Sequence, residues 1–394
     1  LPCDRPFSTT EHAVTSTLTT SAVALTDEQK TARIKAVVSA AAADLRQRYP
    51  VLQHQDAIGA AIMAFSLLGM IGSGVLYVQG LIPWWMCVPA TAIFASFIHE
   101  LEHDLIHLMY FRQKPWANNL MLALGWLARA STISPFVRRR LHLHHHKFSG
   151  TESDLEERGI TNGERWGIRR FLMTGDNMLA VYLRPQTMVR ATKAYIRSQQ
   201  PASPSAARAM GREQMRAYFP LGTLYYLLFH AWLATHAVLL AASLAGMPLA
   251  LPAPLQTALG WLDVFAVVYM LPSFLRTFSL HFISSNMHYY GDVEPRNVMQ
   301  QCQVINPWWL LPFQLFCFNF GSTHAIHHFV VKETFYVRQL TARRAHAVMR
   351  EVGVRFNDFG TFRRANRFSS IEQHGQQPIA PEASVDQDHG DHAE

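Results

Sequence analysis

Cysteine is scarce in this chain. Cys3, Cys87, Cys302 and Cys317 are the only four among 394 residues, widely spaced and without a Cys-x-x-Cys pair. That spacing argues against a disulfide framework, a zinc ribbon and a cysteine-held iron–sulfur cluster, and it leaves the redox compartment with only a lean to the cytosol. Charge is scarce as well: 16% of residues, set against 49% hydrophobic. A soluble pair of domains of this length would carry more. Lys and Arg are missing altogether from 49–111 and from 217–275. The opening LPCDRPFSTTEHAVTSTLTT lacks an apolar core behind a basic head, so no secretory signal is expected there. The missing initiator Met suggests a partial or processed chain.

What is present is long apolar runs alternating with basic stretches. Four runs approach the roughly 20 residues that cross a bilayer, at about Ile58 to Gly80, Leu81 to Ile98, Tyr218 to Gly246 and Leu255 to Phe278. A short turn around Gly80 and Pro83 joins the first two, and MPLALPAP joins the last two, so each pair reads as a hairpin. Both turns lie in the windows without Lys or Arg. The positive-inside rule therefore puts the termini and the long 99–217 segment in the cytoplasm. Asn118 to Val137 is apolar but holds Arg129 and Pro135, and is expected to lie on or re-enter the membrane rather than span it, as is Trp308 to Phe320. The net charge of +7 becomes a one-sided field that attracts anionic lipid or an acidic protein partner. Nucleic acid is not expected, because the basic residues do not interleave with aromatics in a binding module.

The expected architecture is all-α and integral to the membrane: four transmembrane helices in two hairpins under a cytoplasmic helical cap. Residues 1–54 form a cytoplasmic N-terminal segment, 55–335 the membrane domain, 336–373 a basic helical segment, and 374–394 a polar, acidic tail read as disordered.

Twenty histidines are the most informative residues, and about half fall into clusters. In HELEHDLIH, His99, His103 and His107 follow at intervals of four and share one helix face where the second span ends. RRRLHLHHHKFSGTESDLEE holds His142, His145 and His146 in a His-x-x-His-His pattern, and GSTHAIHHF repeats it with His324, His327 and His328. Intervals of three and four return to one face, while the adjacent histidine points about 100° away and can serve a second metal. In TFSLHFISSNMHYYGDV, His281 and His288 are seven apart and also share a face. These eleven are the candidate ligands. His144 reads as an outward-facing neighbour, His230 and His236 as hydrogen-bonded residues of the third span, and His389 and His392 as incidental.

Two metals with open positions for dioxygen need about eight or nine ligands, and neutral imidazole suits iron, copper or zinc. Glu100, Glu102, Asp104, Asp154 and Glu156 stand beside the clusters as partners that could fix imidazole tautomers.

At these residues the sequence resembles the membrane fatty acid desaturase and hydroxylase superfamily, over roughly residues 55–335. The resemblance places its first histidine box on His99 and His103, or equally on His103 and His107. The second falls on His142, His145 and His146, and the third on His324, His327 and His328. His288 resembles a further ligand of the acyl-CoA desaturases, set there in an Asn-x-x-x-His pattern. Here the position four before it is Ser284, which leaves room for His281 in that ligand's place and speaks against simple acyl-CoA desaturation. The resemblance implies two non-haem irons, dioxygen as co-substrate and a fatty acyl substrate. Electrons would come from a separate ferredoxin, rubredoxin or small cytochrome with its reductase. It implies desaturation or a related C–H oxidation, with decarboxylation of free fatty acids to 1-alkenes as the alternative. Arg138, Arg139 and Arg140 read first as a solvated or lipid-facing run, and second as candidates for holding a carboxylate or phosphate at the pocket mouth.

Two rivals come from other classes. HELEH fits the His-Glu-x-x-His of zinc metalloproteases, but one zinc leaves most of the histidines unemployed. A metal transporter would place its site near the bilayer midplane, not at the ends of spans.

Overall fold

The computed structural model describes residues 25–369. The tail at 374–394, with His389 and His392, lies outside them, as does the opening segment. The described chain is helical, and β pairing among these residues is limited to two isolated bridges, His288 with Cys302 and Val304 with Phe356.

The first helix, Asp27–Arg48, begins with a capping box: the Thr26 side chain accepts from the Gln29 backbone and Gln29 answers the Thr26 N–H. Gln55–Val78 and Trp84–Ile106 follow as the first hairpin, and Leu221–Leu244 and Ala253–Met287 as the second. Both turns are built alike. Gly80 and Gly246 adopt φ of +72° and +73°, a left-handed conformation that costs glycine little. The following N–H then reaches back five residues, Leu81 to Leu76 O and Met247 to Ala242 O, each at 2.9 Å. This closes the orphan carbonyls of each helix end.

Among the described residues, three helices are long and apolar enough to cross a membrane: Gln55–Val78, Leu221–Leu244 and Ala253–Met287. Phe65, Leu68, Ile71, Leu227, Leu240 and Trp261 stand exposed on them, which suits hydrocarbon and not water. The expected count of four is therefore three by length and composition. Trp84–Ile106 is long enough, but its last two turns hold His99, Glu100, Glu102, His103 and Asp104, all buried inside the protein. The last crossing is interrupted by a π-helical turn over Ala266–Met270, just ahead of Pro272, which cannot donate into the helix ladder. The Tyr225 hydroxyl donates to the Met270 carbonyl at 3.0 Å, tying the two helices of this hairpin together at the irregular turn.

The segment expected to lie along or re-enter the membrane, Asn118 to Val137, is two helices, Pro115–Ala128 and Pro135–Phe148. They break where Arg129 is buried against Glu102 and where Pro135 imposes a restart. Around Trp308 to Phe320 there is a short 3₁₀ turn and the brief helix Leu311–Phe316. The largest core, including Ile34, Ile283, Met287, Val304, Phe320, Ala325, Phe329 and Met349, surrounds the Phe320–Phe329 helix. It fixes the third histidine box from behind.

Candidate metal centre

Four pieces of chain converge beneath the hairpins. The end of Trp84–Ile106 brings His103 and, at its cap, His107; Pro135–Phe148 brings His142, His145 and His146. Phe320–Phe329 brings His324, His327 and His328, and His288 sits where the last crossing ends. Two groups result. His103, His107, His142, His146 and His327 form one, and His145, His288, His324 and His328 the other, with the ligand atoms in each within 4.8 Å of one another.

The spacing of the ring nitrogens tests what these groups are for. In the first, the Nε2 of His146 lies 3.2 Å from that of His107 and 3.1 Å from that of His142, and His327 Nε2 lies 3.0 Å from both His107 and His146. In the second, His328 Nε2 is 3.4 Å from His288 and 3.2 Å from His324. Imidazoles bound at ~2.0–2.1 Å to one ion stand roughly 2.9 Å apart at right angles and roughly 3.3 Å apart at tetrahedral angles. The observed separations match.

Hydrogen bonds on the far side of the rings set the tautomers. His142 Nδ1 donates to Glu156 and His145 Nδ1 to Asp154, each at 2.9 Å, while His328 Nδ1 donates to Gln301 at 2.7 Å and His288 Nδ1 to the Ser284 carbonyl at 3.0 Å. With its proton on Nδ1, each ring turns a bare Nε2 lone pair inward. Converging lone pairs repel, and a cation relieves them. His327 differs, for the Arg338 guanidinium lies 3.0 Å from its Nδ1. The groups fit metal ions, imidazole donors suiting iron, copper or zinc.

The carboxylates divide. Burial favours the acid form of Glu156, but the contact with His142 and the Arg138 charge hold its carboxyl well below the usual range. Burial also works against a charged His145, yet Asp154 outweighs it and holds the ring up at about 9, so this ring bares its Nε2 lone pair only when a metal displaces the second proton. Of the other expected partners, Asp104 lies 3.6 Å from His103 and accepts from Tyr110, the Phe335 N–H and Arg338; Glu100 pairs with Arg338, and Glu102 with Arg129 and Arg138. Three residues that motif reading missed belong to the centre: Gln301, Arg338 and Glu157, whose carboxylate lies 3.4 Å from His288. Only Glu157, next to Glu156 in the second box, had a signal in the sequence.

Of the two registers open to the first box, the structure groups His103 and His107. His99 and His281 lie outside both groups. Ser284 Oγ stands 3.3 Å from His288 Nδ1. His144 turns away to Ser153 and Gln199, at 3.0 and 2.9 Å. His230 pairs with Asp176 and His236 with Asp263.

A cavity of about 560 Å³ runs up to the histidines. His99, His142, His145, His288 and His324 line it on one side; Leu141, Met178, Val181, Met188 and Leu280 supply apolar wall. Tyr182, Met215 and Leu227 line it and are themselves exposed, so its mouth lies beside a face of Leu221–Leu244 that lipid would cover.

Fold and site together define a helical integral membrane protein whose buried histidines could hold metal on the wall of one largely apolar cavity. The fatty acid desaturase family model matches residues 80–360, and the chain belongs to that family. It is an oxidoreductase of fatty acid chemistry by that membership. The match begins later and runs further towards the C-terminus than the histidine boxes suggested, taking in Arg338. No curated protein compared with the chain matches it.

Proposed function

We propose that this protein is a di-iron oxidase that removes hydrogen from an unactivated carbon of a fatty acyl chain, by desaturation or a related C–H oxidation. The observation that carries the reading is that both histidine groups contribute rings to the wall of a single cavity. His103, His107, His142, His146 and His327 would hold one iron and His145, His288, His324 and His328 the other. Bound iron supplies the means to reduce dioxygen to water, the electrons coming from the substrate C–H bonds and from a separate donor. The chain's own part is to fix the rings through Glu156, Asp154 and Gln301, and to keep bulk water from the acyl chain with the apolar wall. The donor, a ferredoxin, rubredoxin or small cytochrome, would dock on the basic face.

The fourth crossing is assigned to Trp84–Ile106, with the termini and the metal centre on the cytoplasmic side. The support is the absence of Lys and Arg from both hairpin turns. Ser284 beside His288, where acyl-CoA desaturases resembling this chain carry Asn, favours a second reading: oxidative decarboxylation of free acids to 1-alkenes.

Two measurements test this. Metal analysis of the purified protein should find two irons per chain; about one zinc and no iron would turn the assignment to the protease. Incubation with free fatty acids, a reductase system and air should give unsaturated or hydroxylated acids, or volatile 1-alkenes in the headspace. Iron-loaded protein that consumes no oxygen with any acyl substrate would sink the oxidase reading.

A further inference from the structure

The cavity wall holds polar groups that the metal centre does not use. His99 and His281 both line the cavity at 1% and 8% exposure, and His99 Nε2 and His281 Nδ1 have no hydrogen-bond partner. Arg129 Nη1 lies 3.5 Å from His99 Nδ1, which leaves the His99 proton on the unpartnered Nε2. Arg138 lines the same wall. Its Nε and Nη1 are taken by Glu156 and Glu102 at 3.1 and 2.9 Å, and its Nη2 has no partner among the described residues. One turn behind Leu280 stands Arg276, fully buried, bonded only to Thr277 Oγ1 at 2.6 Å, with Nε and Nη1 unpartnered.

Arg129 and Arg138 are paired with Glu102 and Glu156, whereas Arg276 has no carboxylate within 4 Å among the described residues. A buried charge without a counter-ion is destabilising, and buried donors without acceptors add to it. An anion on this wall would accept from His99 Nε2 and Arg138 Nη2 and lie in the field of Arg276, which stands behind the wall and does not line it. The cavity beyond is apolar, so the fitting anion is one that carries a long apolar chain.

We propose that this wall is a carboxylate site, where His99 Nε2 and Arg138 Nη2, backed by Arg129 and Arg276, hold the ionised carboxyl group of a free fatty acid whose chain fills the cavity. The proposal rests on the acyl reading of the cavity and adds which end of the substrate meets the metals. His99 precedes His103 by four residues and Arg138 precedes His142 by four, each about one turn or ~6 Å along its helix. The carboxyl end therefore lies beside the metal groups. The C–H bonds presented are those a few carbons from the carboxyl, not those in mid-chain. A thioester or amide, lacking the charge, is disfavoured.

The test compares binding of radiolabelled dodecanoate and methyl dodecanoate to the iron-loaded protein in nanodiscs. The native protein should bind the acid at least tenfold more tightly than the ester. His99→Leu and Arg276→Met should each weaken acid binding at least tenfold, leave the ester unchanged and retain iron. His99→Gln, which keeps a donor, should recover acid binding to within about threefold. Equal binding of acid and ester by the native protein would overturn the carboxylate site and leave the acyl cavity standing; binding of neither would overturn both. Unchanged acid affinity in both variants overturns the site, and should Arg276→Met fail to load iron, the native comparison decides alone.

Discussion

Single residues behind the ligands decide how well the rings are aimed. Glu156 and Asp154 each take an Nδ1 proton at 2.9 Å, and loss of such a partner typically costs 10- to 100-fold in metal affinity. Glu156→Gln and Asp154→Asn should therefore weaken iron binding by about that factor in competition with a chelator, while His144→Ala, outside both groups, leaves it unchanged. Loss of affinity in His144→Ala equal to that in the other two would remove the distinction between the groups and their surroundings. The histidines that the fold groups were legible, because imidazoles at spacings of three and four repeat beyond what packing needs. Gln301 was not: it lies in a loop without a motif, and only the fold brings it within 2.7 Å of His328. Nor could spacing separate His99 from His103 and His107. All three share a helix face, and the choice is made by what comes opposite: Arg129 for His99, and rings from the other boxes for His103 and His107.

At the scale of elements, helix pairing within the first hairpin depends on small residues. A Cβ at Gly69 would run into the Phe94 ring, whereas one at Gly72 would meet nothing within 4 Å. Close approach of this kind is how apolar helices pack where no water drives them together. Gly69→Val should cost about 1–3 kcal/mol by overpacking and lower the melting temperature in detergent. Gly72→Ala should hold or raise it, since alanine is favoured over glycine in a helix by roughly 0.5–1 kcal/mol. Equal effects would mean the hairpin does not pack on this face. The hairpin turns were readable from Gly80, Pro83 and the proline-rich MPLALPAP, because turn chemistry is local. The division of 118–137 into two helices was not, since its cause is the burial of Arg129 against Glu102 from a different helix.

For the molecule as a whole, folding and metal loading are one problem. Nine imidazoles from four separated stretches of chain meet in one space, where the rings that donate through Nδ1 leave their lone pairs opposed, and a ligand that binds only the folded state stabilises it by mass action. Chelation should lower the melting temperature of the purified protein, and iron should restore it; an unchanged transition would mean the groups are empty in the working protein. Orientation is open to a direct check. In the protein with its native cysteines replaced, a single cysteine introduced by Leu81→Cys should react with an impermeant reagent only from the side opposite one introduced by Leu25→Cys. Labelling of both from one side would overturn the two-hairpin topology.

The Asp27–Arg48 helix lies against Phe335–Glu351, and two ion pairs join them, Arg33 to Glu351 and Arg344 to Asp44 at 3.0 Å, while Arg46 pairs at 2.6 Å with Glu333 in the turn just before the second helix. Residues 27–48 and 335–351, early and late in the described chain, thus lie side by side. A redox module spliced to either would be tethered at millimolar effective concentration if its linker matched the span. Electron supply could then cease to depend on encounters with a diffusing carrier, and a fusion at one end should serve about as well as a fusion at the other.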